Sequence, residues 1–347
     1  MSHVVREHEV HVRHVPGGLA MESNKDTPPQ PDGFRRIVLC LDSFEASRCT
    51  AAFVRRLARP DTELTIVALT LDPDSLASQT PLGGPDSGLA HGESQELMNR
   101  AIAESSRALA SSVGTLRTQA IDLAKAGVSA ARALGRAAQQ VRADLLIVGI
   151  RQHHGLVRWF DPSVTNSLSR LAPCAMIVAP AEYDDARDAE LQRILFAVDG
   201  SATSLAAVDT GASLASADTQ IRVVYVVDRG ISHSDVMPVT PLEDIFVKEG
   251  SQAIAAAQAR LEARRKVTRS LVSADLISTD AGADNVSSVL LREAQRWNAD
   301  VIVMGTHGRR GDARAYLGSV PNQVASLVEI PLLLVRESHD NRASNAT

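Results

Sequence analysis

A glycine-rich segment in the second half of the chain has the residue types and spacing of a phosphate-binding loop. It reads Gly305-Thr306-His307-Gly308-Arg309-Arg310-Gly311, and nine residues separate Gly308 from Gly318, which Ser319 follows. Glycine lets the backbone approach a phosphate chain and adopt positive φ, and successive backbone N–H groups can form an anion-binding nest. A helix beginning near Val320 and the two arginines also favour phosphate. Plain turn glycines are the alternative, which the spacing leaves open.

This segment follows a short apolar run, and such runs alternate with helical patterns along most of the chain. In the first half, the runs predicted as strands cover residues 37–41, 64–69, 118–123, 145–148 and 175–178. The helices predicted between them cover about 45–58, 93–112, 128–141 and 164–171, and a loop rich in Gly, Pro and Ser covers 72–92. Because parallel strands need crossover connections, this order predicts a doubly wound α/β domain with a parallel five-stranded sheet.

The same series then occurs a second time. Asp42 and Asp199 end the first strand of each half and lie 157 positions apart, and Gly149 and Gly305 end the fourth strand and lie 156 apart. A near-constant offset indicates one duplicated domain. The predicted organisation is therefore a disordered arm at 1–34, a domain at 35–181, an acidic linker at 182–192, a domain at 193–337 and a tail at 338–347.

Composition argues against several classes of function. The net charge of -5 does not fit a general nucleic-acid binder, which usually has a basic surface. No run of about 18 apolar residues occurs, so no membrane span is expected. The first residues lack the apolar core of a signal peptide, and three cysteines without a metal or redox spacing fit a reducing compartment. The expected location is the cytoplasm.

Four blocks of the second half occur in an order that resembles a known family. They are residues 196–201 with Asp199, residues 223–228 of the second strand, residues 304–309 and residues 317–320. This order resembles the universal stress protein family in a tandem two-domain form, over about residues 35–180 and 193–336. The resemblance implies Rossmann-like domains whose last strands pair across a pseudo-twofold axis. It also implies an adenine-nucleotide site, because ATP-binding members use the pattern G-2x-G-9x-G-[ST].

The resemblance assigns specific residues to that nucleotide. Ala197, Asp199 and Val226 would line the adenine and ribose side, and the loop would hold the phosphates. The full predicted set is Ala197, Asp199, Val226, Met304, Gly305, Gly308, Arg309, Arg310, Gly311, Gly318, Ser319 and Val320. The expected ligand is ATP, with or without Mg²⁺, and AMP or ADP is an alternative. No catalytic or metal-ligating residue is predicted, and we interpret His307 as a loop residue rather than a catalyst.

The first half keeps the spacing of the loop but not its glycines. Gln152 and Pro162 occupy the positions that correspond to Gly308 and Gly318. Proline lacks the N–H that a phosphate would need. The sequence therefore predicts one nucleotide per chain, bound by the second half.

The leading interpretation is a regulatory or stress-response protein whose nucleotide occupancy controls its conformation or its partners. No Walker lysine follows the glycines, and no kinase motif set is present. A slow ATPase or a nucleotide-transfer enzyme is one alternative, and an interaction scaffold with incidental nucleotide is another. The expected partners are an adenine nucleotide and an unidentified protein, and not a nucleic acid or a membrane. The expected assembly is an intramolecular pseudo-dimer, with a homodimer as a further option.

Overall fold

The computed structural model describes residues 33–41, 44–70, 87–150, 162–180, 190–229, 239–264, 271–280, 284–309 and 317–336. Arg310 and Gly311 of the predicted site lie outside these residues, as do Asp42 and Gln152. The predicted arm up to residue 32, residues 182–189 of the linker and the predicted tail also lie outside them. Phe34 is only 7% exposed, so the packed core begins one residue before the predicted start of the first domain.

The first half contains every predicted strand. Its strands are β1 (Arg36–Leu41), β2 (Glu63–Thr70), β3 (Thr115–Asp122), β4 (Leu145–Ile150) and β5 (Ala175–Pro180). Its described helices are α1 (Phe44–Leu57), α2 (Ser87–Leu109), α3 (Leu123–Ala126), α4 (Ala130–Gln140) and α5 (Pro162–Leu171). Helix α2 begins earlier than predicted, in a stretch whose glycines suggested a loop. A glycine costs about 1 kcal/mol in a helix, which does not by itself end one.

The second half has the same order of elements. Its strands are β6 (Arg193–Ala197), β7 (Gln220–Val227), β8 (Val272–Ser278), β9 (Val301–Gly305) and β10 (Leu332–Val335). Its described helices are α6 (Ala202–Gly211), α7 (Val239–Glu262), α8 (Val286–Arg296) and α9 (Ser319–Leu327), with a 3₁₀ turn at Ala212–Leu214 after α6. The side chain of Ser201 accepts a hydrogen bond from the N–H of Ser204 and so caps α6.

The two halves form one continuous ten-stranded sheet in the order β3-β2-β1-β4-β5-β10-β9-β6-β7-β8. Each half is parallel within itself, as predicted. Strand β10 pairs with β5 antiparallel, with Leu333 opposite Ile177, so the two predicted five-stranded sheets are not separate. The pairing has a physical reason, since an apolar strand at a sheet edge exposes unpaired N–H and C=O groups unless another strand covers them.

The central strands are buried on both faces of the sheet. All four residues of β10 and all five of β9 are buried, which is why these strands appear in the sequence as continuous apolar runs. Apolar residues from both halves contribute to each of the two core layers. The sheet is thus a buried layer, and the loops described below follow the ends of its strands.

An aspartate before the fourth strand of each half joins the start of that half's first strand. Asp144 accepts hydrogen bonds from the N–H groups of Arg35 and Arg36 at 2.9 and 3.0 Å. Asp300, its repeat equivalent, accepts from Gln192 and Arg193 at 2.7 and 2.8 Å. Burial raises the pKa of Asp144, and the backbone hydrogen bonds oppose that rise. The repeat is therefore preserved at the level of single hydrogen bonds.

Helices α2 and α7 are the longest in the described part of the chain, at 23 and 24 residues. Among the described residues, no helix is both long and apolar enough to cross a bilayer.

Candidate functional site

The candidate site lies where the strand order of the second half reverses. From β6 the chain moves to β7 on one side, and it later returns to β9 on the other side of β6. The segments after β6 and β9 therefore diverge, and a crevice opens between them beyond the carboxyl ends of the strands. Open α/β sheets bind ligands at this kind of position.

A cavity of about 390 Å³ occupies this position, within the range of small-molecule sites. Ten of the twelve predicted site residues line it, and the other two, Arg310 and Gly311, lie outside the described residues. The ten are Ala197, Asp199, Val226, Met304, Gly305, Gly308, Arg309, Gly318, Ser319 and Val320. The structure thus brings together residues separated by more than 120 positions in the sequence.

The cavity has an apolar part and a polar part. The apolar lining comes from the ends of β6, β7 and β9 and from two helices, and consists of Ala197, Val198, Val224, Val226, Val227, Phe246, Val286, Leu290 and Met304. The polar lining includes Asp199, Ser204, Asp228, His307, Arg309 and Ser319. This combination can accommodate a ligand with a flat apolar group at one end and several hydrogen-bonding groups at the other.

Asp199 connects the two sides of the crevice. Its Oδ1 accepts a hydrogen bond from the N–H of Ser201 at 2.9 Å, and its Oδ2 accepts from the N–H of Arg309 at 3.1 Å. A Cβ atom added to Gly308 would lie 2.6 Å from the same Oδ2. The loop after β9 therefore packs directly against the carboxylate after β6.

The glycines of the loop provide close approach and not positive φ. Among the described residues, the glycines with positive φ are Gly33, Gly127 and Gly200, so Gly305, Gly308 and Gly318 do not use the positive φ that glycine allows. A Cβ atom on Gly305 would lie 2.9 Å from the carbonyl carbon of Thr203. Glycine is needed there because the end of β9 passes against the first turn of α6.

The second part of the predicted motif begins helix α9. Gly318 precedes this helix with φ of -57° and ψ of 159°. Its N–H donates to the carbonyl oxygen of Thr306 at 2.9 Å, so this group is already paired within the loop. Ser319 and Val320 are the first helical residues, whose N–H groups have no intrahelical acceptor. Since both line the cavity, the positive end of the helix dipole faces it.

The side chain of Arg309 closes one wall of the cavity. Its Nη1 pairs with Oε2 of Glu249 on α7 at 2.5 Å, and its Nη2 donates to the hydroxyl oxygen of Tyr225 at 3.2 Å. The hydrogen bond that Arg309 donates to Glu249 raises the pKa of Arg309, and burial raises the pKa of Tyr225. In this arrangement the guanidinium faces a protein carboxylate, and its contact with a phosphate stays a prediction.

Gly250 allows α7 to come close to this wall. A Cβ atom at Gly250 would lie 2.7 Å from the ring of Tyr225, so the helix can pack on the ring only because the residue is glycine. The packing places Glu249 beside Arg309. Gly250 and Glu249 do not belong to the predicted set, and a lone glycine in an amphipathic helix is too weak a signal to identify them.

His307 lies on the cavity wall, as expected for a loop residue. Its Nδ1 is 3.0 Å from Oγ1 of Thr306, and Thr306 is 2% exposed. The sequence analysis also missed Ser204, Tyr225 and Asp228 as lining residues. The place of Tyr225 and Asp228 at the carboxyl end of β7 could have identified them, because Tyr225 directly precedes Val226 and Asp228 directly follows the last strand residue, Val227. Within the described part of the chain, no group of three or more His, Cys, Asp or Glu residues is arranged to hold a metal ion.

The corresponding region of the first half is described only in part. Strand β4 ends at Ile150, residues 151–161 lie outside the described residues, and Pro162 begins α5. Proline is favoured in the first turn of a helix, where its missing N–H breaks no intrahelical bond. It cannot, however, form the hydrogen bond that Gly318 donates to Thr306. The substitution therefore removes a bond that holds the loop together.

Comparison with known proteins places this chain in a family. The sequence model of the universal stress protein family matches residues 33–180 and 190–336. A protein of unknown function from Pseudomonas aeruginosa PAO1 superposes with a TM-score of 0.53 at 17% identity, over 90% of this chain and 96% of its own. A universal stress protein from Archaeoglobus fulgidus DSM 4304 superposes with a TM-score of 0.52 at 13% identity, over 87% of this chain and 98% of its own. A universal stress protein in complex with cAMP superposes with a TM-score of 0.30 at 24% identity, over 42% of this chain and 97% of its own. Because the family matches both halves and most of the chain, this protein belongs to the universal stress protein family.

Proposed function

We propose that the second half of this chain binds ATP and that the bound state is a regulatory signal in a stress response. Family membership supports the stress-response role. The observation that carries the ATP proposal is that ten predicted residues, from three strand ends and one helix start, line a single cavity at the strand-order reversal. A set drawn from unrelated turns would not converge in this way.

The apolar part of the cavity would hold the adenine. Ala197, Val226 and Met304 line it beside the strand ends, and a base can pack between such side chains. Asp199 lies between this part and the glycine loop. Its carboxylate is an acceptor for ribose hydroxyl groups, and hydrogen bonds to an ionised acceptor are stronger than neutral ones.

The start of α9 and the loop after β9 would hold the phosphates. Ser319 and Val320 face the cavity at a helix N-terminus, which favours anions. Arg309 would turn from Glu249 toward the phosphates, at the cost of a half-exposed ion pair that contributes about 0.2–1 kcal/mol. Mg²⁺ would be held mainly by phosphate oxygens, with Asp199 or Asp228 supplying a carboxylate.

The protein would act in the cytoplasm on an unidentified protein partner, with the two halves forming a pseudo-dimer within the chain. The first half would lack a nucleotide, because Gln152 and Pro162 replace two loop glycines. Occupancy would then change only the second half and the helices around its cavity.

Calorimetric titration of the full chain with ATP, ADP, AMP and GTP tests the ligand. We expect saturable binding of ATP, weaker binding of AMP because it lacks two phosphates, and weaker binding of GTP because the apolar part offers few partners for its exocyclic groups. Equal affinity for all four nucleotides, or none for ATP, would contradict the proposal.

Each of the two alternative functions, a slow ATPase and an interaction scaffold, has its own test. A slow ATPase would hydrolyse bound ATP faster than intact ATP dissociates. Steady-state release of phosphate measures the first rate, and a chase with unlabelled ATP measures the second. A scaffold with incidental nucleotide would contact its partner equally well with and without ATP. The regulatory proposal expects turnover no faster than exchange, and partner affinity that changes with ATP.

A further inference from the structure

The first half contributes a side chain to the loop of the second half. Oδ1 of Asn166, on helix α5, accepts a hydrogen bond from the N–H of Leu317 at 2.8 Å. Leu317 directly precedes Gly318 and is 8% exposed. The acceptor and the donor are separated by 151 positions, so this bond crosses from one repeat to the other.

The bond fixes the backbone at the entrance to the cavity. Leu317 is the first described residue after the gap at 310–316, and it is held by the first half, whereas Gly318 is held by Thr306 within the second half. Two consecutive N–H groups are thus tied to two different acceptors. The helix α9 begins at the next residue, with Ser319 and Val320 on the cavity wall.

Asn166 has an equivalent at the same position of the second repeat. Residues 162–166 read Pro-Ser-Val-Thr-Asn and residues 318–322 read Gly-Ser-Val-Pro-Asn. Asn166 is therefore the equivalent of Asn322. A second contact ties the same helix to the second half, since Nη1 of Arg336 donates to the carbonyl oxygen of Arg170 at 2.7 Å.

We infer that Asn166 is a positioning residue for the nucleotide site of the second half. The first half would then serve as a built-in support that sets the direction of the α9 N-terminus. The predicted effect on nucleotide affinity rests on the proposed ATP site, whereas the predicted effect on the N–H of Leu317 does not. It predicts that removing the Asn166 acceptor loosens Leu317 and weakens binding of the phosphates more than binding of the adenosine.

The test uses the full chain and the variants Asn166→Leu, which keeps the size but removes the acceptor, and Asn166→Asp, which keeps an acceptor oxygen. The first measurement is amide hydrogen exchange without nucleotide. We expect Leu317 to lose protection in Asn166→Leu and to keep it in Asn166→Asp. The amides of Val289 and Trp297 in the neighbouring α8 region, which donate within the second half, serve as an internal control and should not change.

The second measurement compares ATP and AMP affinity in Asn166→Leu and the parent. One hydrogen bond corresponds to about a two- to tenfold loss, which we expect for ATP and not for AMP. Equal losses for both nucleotides would indicate general destabilisation and would overturn the inference. So would unchanged protection of Leu317. If the parent binds no ATP, the proposed function fails, and the exchange measurement still decides whether Asn166 positions the loop.

Discussion

Arg56 of α1 and Asp300 before β9 form an ion pair between the two halves, with Nη2 and Oδ1 3.1 Å apart and both side chains 1% exposed. Asp300 also accepts two backbone hydrogen bonds at the start of β6. A single carboxylate thus joins the first half to the strand that leads into the site. Asp144, its repeat equivalent, makes the same backbone bonds.

The first prediction concerns this pair. Removing one partner of a buried ion pair costs about 3–5 kcal/mol, because the other charge is left buried. We expect Arg56→Ala to lower the free energy of unfolding by about 3 kcal/mol, as measured by urea denaturation. Arg117→Ala is the matched control, since the Arg117–Glu63 pair is 63% and 53% exposed and should change the stability by less than about 0.5 kcal/mol. Equal losses in the free energy of unfolding of the two variants would mean that burial does not make the Arg56–Asp300 pair more important than an exposed pair.

The second prediction separates two loop glycines. In Gly308→Ala the new Cβ would meet Oδ2 of Asp199 at 2.6 Å, so the loop has to move. Such overpacking costs about 1–3 kcal/mol, and we expect ATP affinity to fall by about fivefold to a hundredfold. In Gly318→Ala the nearest atom would be 3.5 Å away, and the free energy of unfolding should stay within about 0.5 kcal/mol of the parent. Titration of Gly308→Ala that gives an affinity within twofold of the parent would refute the close-approach argument.

The third prediction tests the pairing of Arg309. If the guanidinium leaves Glu249 to meet the phosphates, Glu249→Gln releases it in advance. The exposed pair contributes at most about 1 kcal/mol, so we expect ATP affinity to rise by up to about fivefold, and less at high salt. Glu262→Gln, on the same helix but outside the cavity lining, makes the same change in charge and should have little effect. Lower ATP affinity in Glu249→Gln would show that Glu249 itself supports the ligand.

The sequence predicts the fold well because its buried strands are short apolar runs, and the repeat at an offset of 156 or 157 confirms their order. It also predicts most of the candidate site, because one continuous segment from Met304 to Val320 contains nine of the twelve predicted residues. It does not predict the wall formed by Arg309, Glu249 and Tyr225, whose members are 60 and 84 positions apart. Contacts over such separations depend on how α7 packs on the sheet, and no local pattern records that packing.

The reasons for the glycines also required the structure. The sequence left open whether close approach or positive φ requires them, and the need at Gly308 and Gly305 is for space beside Asp199 and Thr203. The cross-repeat bond from Leu317 to Asn166 was likewise hidden, because an asparagine in an amphipathic helix is usually a solvent-facing residue. Each of these features depends on which segments the ten-stranded sheet brings together.

Equilibrium dialysis of the full chain against labelled ATP, carried to saturation, tests the central claim most directly. The second half offers a cavity lined by ten predicted residues, and the first half lacks two of the loop glycines. We therefore predict a plateau of one ATP per chain, with much less label retained by Gly308→Ala at the same concentration. A plateau near two would show that the altered loop of the first half still binds, and the absence of saturable binding would contradict the account.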